Sequence, residues 1–90
     1  MKLNEHPAFQ SIDSELVNSI QEMLDSSAKK NNPYDTLQGL IGVNNTLKKH
    51  NIPITPDMQK ALIIGFKDTL PKAKRKQFEA FFNAIYKGKF

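Results

Sequence analysis

The chain has no cysteine among its 90 residues, so neither a disulfide framework nor a thiolate metal site can supplement its core. It has no long apolar run either. Ala61-Leu62-Ile63-Ile64, extended past Gly65 by Phe66, falls far short of the ~20 residues that span a bilayer. The opening Met-Lys-Leu-Asn-Glu-His-Pro lacks the apolar stretch of a secretory signal, and the expectation is a soluble cytoplasmic protein. Glycine is sparse: Gly39, Gly42, Gly65 and Gly88 stand alone and form no phosphate-cradling loop. The two histidines, His6 and His50, fall in different loops, and nothing in their spacing demands a metal.

Acids are scarce in the second half. Residues 1–47 carry three lysines against six acids, a net of −3, while residues 48–90 carry ten cations against Asp57, Asp68 and Glu79, a net of +7. Such polarity bears on partners and solubility rather than on fold. A chain of this length buries only about 60–65 % of its unfolded surface, so the core must be modest.

What is present is helical periodicity. The expected fold is all-α, a compact antiparallel four-helix arrangement with helices at about 13–30, 33–50, 56–69 and 72–87. Residues 1–10 form either an arm anchored by Leu3, Pro7 and Phe9 or a frayed terminus, and residues 11–90 form a single helical domain. In the first helix Ile12, Leu16, Ile20, Met23 and Leu24 recur at helical spacing, with Ser11 or Asp13 as its cap. Asn31-Asn32-Pro33 breaks the chain before the second helix. There Tyr34, Leu37, Leu40, Ile41 and Leu47 give an apolar face, but Gly39 and Gly42 each cost about 1 kcal/mol relative to alanine. Either that helix is weak or another backbone packs closely on it. Asn51-Ile52 has the form of a left-handed cap with an apolar clip.

Thr55-Pro56-Asp57 is a strong start signal, joining a capping hydroxyl, a proline and a first-turn acid. Met58, Ala61, Leu62, Ile64 and Phe66 leave the third helix little polar surface, and it is read as the central element. The fourth should bury Phe78, Phe81, Phe82 and Ile85, with Ala73 and Ala84 as smaller contacts and Gly88 as its C-terminal cap.

Reaction chemistry finds little support. Asp13, Glu15, Asp35 and Asp57 are explained by capping and helix dipoles, and Glu22 and Asp25 by solvation. The serines lack a spaced base and oxyanion donors. Asp13-Ser14-Glu15-Leu16 departs at its third residue from the Asp-Ser-Leu of acyl carrier proteins, so no prosthetic-group site follows. We expect no enzyme activity, cofactor, metal or small-molecule substrate.

The remaining candidate is the C-terminal helix. Lys72, Lys74, Arg75 and Lys76 crowd its first turns, where the dipole already favours anions and cations work against the helix. The plain alternative is a solvated face with Arg75 and Glu79 paired at i,i+4. Tyr86, Lys87, Lys89 and Phe90 add an aromatic, basic tail beyond the core stripe. These eight residues are the expected partner-binding surface, docking a protein partner or a second copy of the chain. Weak, sequence-independent nucleic-acid binding through the same cations is the alternative, and contact with a membrane surface ranks third. In size, charge and helix count the chain is similar to the bacteriocin immunity proteins, a likeness of architecture that no residue motif carries and that transfers no site.

Overall fold

A computed structural model describes residues 3–86. Two short 3-10 turns, Leu3–Glu5 and Pro7–Phe9, lead into α1 (Ser14–Lys30), α2 (Pro33–Lys49), α3 (Pro56–Asp68) and α4 (Lys72–Tyr86). The described residues form an all-α, four-helix arrangement without strands. The ends fall where local chemistry puts them. Asp13 Oδ1 accepts from Glu15 N at 2.9 Å, Asn32 Oδ1 from Tyr34 N and Asp35 N, and Thr55 Oγ1 from Met58 N at 3.1 Å. Each satisfies a backbone donor that its helix cannot. Asn31 and Asn51 stop α1 and α2 at φ 49° and 57°, in the left-handed region that asparagine tolerates better than most residues. Past Asn51, Ile52 N bonds Leu47 O at 3.0 Å, closing the expected cap. Gly88 lies outside the described residues.

The N-terminal segment is docked. Leu3 and Phe9 are buried at 4 % and 2 % exposure, Leu3 N donates to Gln21 Oε1 at 3.0 Å, and His6 Nδ1 accepts from Ala8 N. Pro7, expected as a third anchor, is exposed. The first turn lies on α1 and the second on α3.

The centre of the molecule is α2, not α3. It packs broadly against α1 and α4 and also against α3, whereas α1 and α4 share no comparable seam. Leu37, Leu40, Val43 and Leu47 are all at 1 % exposure or less. Its glycines answer the question posed by the sequence. A Cβ on Gly39 would stand 2.8 Å from Phe66 Cε1 and 3.1 Å from Ser27 Cβ, so α1 and α3 close on this point of α2 through side chains.

The stripe of α4 is rotated from the expected one. Phe78 and Phe82 are fully buried and Tyr86 stacks on Phe82 at 4.6 Å, so the seam runs i, i+4, i+8. Phe81 and Ile85, expected in the core, are 39 % and 51 % exposed, and Ala73 and Ala84 face solvent. The cause is that α4 rests on one shoulder of α2, and among the described residues no further helix covers its other flank. Phe81 instead meets the exposed Tyr34 edge-on at 6.5 Å. Ile64 is likewise 44 % exposed, and its neighbour Ile63 takes the buried position.

Candidate functional site

One flank of α3, from the buried Ile63 outward, forms a stripe of its own. Gln59, Lys60, Ile63, Ile64 and Lys67 recur at helical spacing along one wall of a groove of about 830 Å³. The opposite wall is the second half of α2, where Asn44, Asn45 and Lys48 project, and Tyr86 of α4 closes one side. Ile54, Thr55 and Pro56 bring the start of α3 into the lining, so its positive dipole end faces the same space. The volume lies within the ~300–1,000 Å³ range typical of ligand pockets.

Among the described residues three lysines and no acid occur in this lining, over an apolar floor of Ile54, Ile63, Ile64 and Tyr86. Two amide side chains add polarity at its base. Asn44 is 7 % exposed; its Nδ2 donates to Tyr86 Oη at 3.2 Å while its Oδ1 has no partner within the protein. Gln59 Oε1 is buried and equally without a partner. A buried carbonyl left so costs stability, and such atoms are uncommon in folded proteins.

The expected partner-binding residues do not form one patch. Lys74 Nζ donates to Asn31 O at 2.9 Å, and Arg75 sends Nε to Leu70 O at 2.9 Å and Nη2 to Asp68 O at 3.4 Å. These carbonyls lie at the C-terminal ends of α1 and α3, which carry partial negative charge. Cations that oppose the dipole of α4 therefore serve two other helices, and that accounts for half of the cluster. Lys72 and Lys76 are exposed. Tyr86, read as part of an exposed tail, is half-buried against the core and forms a groove wall. Lys87, Lys89 and Phe90 lie outside the described residues.

Sequence reasoning missed Lys48, Lys60, Lys67, Asn44 and Gln59. Signals existed for three of them. Asn44 falls on the apolar face between Leu40 and Leu47, and Lys60 and Lys67 flank Ile63 and Ile64 on an otherwise apolar helix. A second, polar cleft of about 650 Å³ between α1 and α2 holds Ser19, Ser26, Ser27, Glu22 and Asp35. Ser19 and Ser27 donate to helix carbonyls of Glu15 and Leu24 there, as ordinary helical serines do. Among the described residues no three His, Cys, Asp or Glu side chains converge as a metal site, and no helix is long and apolar enough to cross a membrane.

Comparison of this chain with protein-family models, with curated proteins and with solved structures finds no match.

Proposed function

We propose that the protein is a non-enzymatic interaction module that docks an acidic segment of a protein partner in the groove between α2, α3 and α4. One observation carries the reading: Lys48, Lys60 and Lys67 surround an apolar floor in a lining that, among the described residues, has no carboxylate. Charge of one sign over a concave apolar surface favours a partner with acidic and apolar side chains together, and the charges govern selectivity and approach. The exposed Lys72 and Lys76 extend the positive field along α4. Lys72 precedes Tyr86 by nearly four full turns, so both lie toward the same side of that helix.

The fold also constrains the nucleic-acid alternative. Two of the four cations that would meet phosphate, Lys74 and Arg75, are held on backbone carbonyls. Amide chemical-shift mapping separates the two readings. With an acetylated, amidated Glu-Leu-Glu-Leu-Glu peptide, shifts are expected at Asn44 to Lys48 and Gln59 to Lys67; with single-stranded DNA at the same ionic strength, none are expected there. Strong DNA-induced shifts centred on Lys72 and Lys76, with the groove silent to the peptide, would replace this proposal with the nucleic-acid one.

A further inference from the structure

Among the described residues, three of the four exposed large apolar side chains stand outside the groove: Tyr34 at 57 %, Phe81 at 39 % and Ile85 at 51 %. The fourth, Ile64, belongs to it. Tyr34 and Phe81 meet edge-on, so α2 and α4 present one continuous apolar face, and the half-buried Ile41 lies two turns beyond Tyr34 on the same side of α2. This face is not the groove wall. Phe81 and Tyr86 lie five positions apart, about 140° around α4, so the two surfaces leave that helix on different sides.

Charge sets this flank apart from the rest of α4. The other exposed positions on it are Ala73, Gln77, Ala80 and Ala84, all uncharged. Lys74 falls among them by helical spacing, but its Nζ is turned back onto Asn31 O at 2.9 Å. Lys72, Lys76 and Glu79 lie elsewhere around the helix. A flank of this kind offers no charge to hold an acidic segment, whereas a second copy can meet it without bringing like charges face to face, even though each chain carries +4.

Bulk along the flank is self-complementary as well. Ala73 and the flexible Gln77 occupy the first half of α4, and Phe81 and Ile85 the second. Two copies packed antiparallel about a two-fold axis midway along α4 therefore lay the large groups of one on the slimmer half of the other. The face is two helices wide and about 22 Å long over the 15 residues of α4, on the order of 500 Å² per copy. Two such faces bury about 1,000 Å², which is the class of weak, reversible association rather than of an obligate dimer.

We infer that the chain forms a reversible two-fold dimer through the uncharged flank of α4, with Tyr34 at its edge and Phe81 and Ile85 at its centre. The inference is independent of the docking reading, because the groove lysines take no part in it. Sedimentation equilibrium of the full chain, without any peptide, tests it over micromolar to millimolar concentrations. A monomer–dimer equilibrium is expected, tighter at high salt than at low, because salt screens the repulsion between two chains of like charge. Gln77→Glu and Gln77→Lys then change an exposed position near the axis, where each new charge approaches its own copy. Each variant alone should dimerise at least about tenfold more weakly, and an equimolar mixture of the two should recover the native affinity to within about threefold.

A monomer at every concentration overturns the inference and leaves the face to a different protein. Association that weakens with salt and ignores both Gln77 variants overturns it too, and assigns the contact to the oppositely charged halves of the chain. Loss of the dimer in both variants without recovery in the mixture overturns the two-fold arrangement.

Discussion

Arg75 illustrates what a side chain's own helix does not reveal. In the first turns of α4 a guanidinium opposes the local dipole, yet its donors reach the carbonyls of Leu70 and Asp68 at the end of α3. Hydrogen bonds from charged groups are the stronger kind, and a half-buried pair keeps part of that advantage. Arg75→Met should therefore lower unfolding stability by about 1–2 kcal/mol in urea denaturation, whereas Lys76→Met, at an exposed position, should stay within about 0.5 kcal/mol. Equal costs would mean that Arg75 acts only through the net charge of α4. From the sequence, residues 72–76 read as one basic patch because spacing along a helix is visible there. Which other helix ends approach those residues depends on tertiary packing, so the division of labour between Lys74 and Arg75 on one hand and Lys72 and Lys76 on the other was not legible.

Among the elements, α2 carries the most demanding fit. At Gly39 an added methyl would press on the ring of Phe66, which is fully buried and cannot swing aside. At Gly42 it would meet only Met23 Cε at 3.2 Å, the end of a flexible, half-buried side chain. Alanine gains up to about 1 kcal/mol of helix propensity at either site, while overpacking a core costs about 1–3 kcal/mol. Gly39→Ala should therefore destabilise by about 1–2 kcal/mol and Gly42→Ala should be neutral or stabilise by up to about 1 kcal/mol, as thermal melts of the two variants would show. The helix boundaries were legible because Asp13, Asn31, Thr55 and Asn51 act within a few residues of themselves. The seam of α4 was not. Phe78, Phe81, Phe82 and Ile85 make an acceptable apolar stripe in isolation, and only the shoulder of α2 decides that Phe78, Phe82 and Tyr86 are the ones enclosed.

Across the whole molecule, the charge asymmetry visible in the sequence, −3 in residues 1–47 and +7 in residues 48–90, acquires a place. Lys48, Lys60 and Lys67 come from α2 and α3 and meet only in the folded chain, around the floor of Ile54, Ile63, Ile64 and Tyr86. The basic end that stands out in the sequence is thus divided between carbonyl capping, an exposed face and, through Tyr86, one wall of the groove. In this account the groove cations hold the acidic segment, while Lys72 and Lys76 contribute at longer range, where salt screens them more strongly. The most direct measurement is the calorimetric affinity of the Glu-Leu-Glu-Leu-Glu peptide for two charge-reversed proteins, Lys48→Glu with Lys60→Glu and Lys72→Glu with Lys76→Glu. The account predicts a loss of more than about tenfold for the groove pair and less than about threefold for the α4 pair. Unchanged affinity in the groove pair, with binding abolished in the α4 pair, would contradict it.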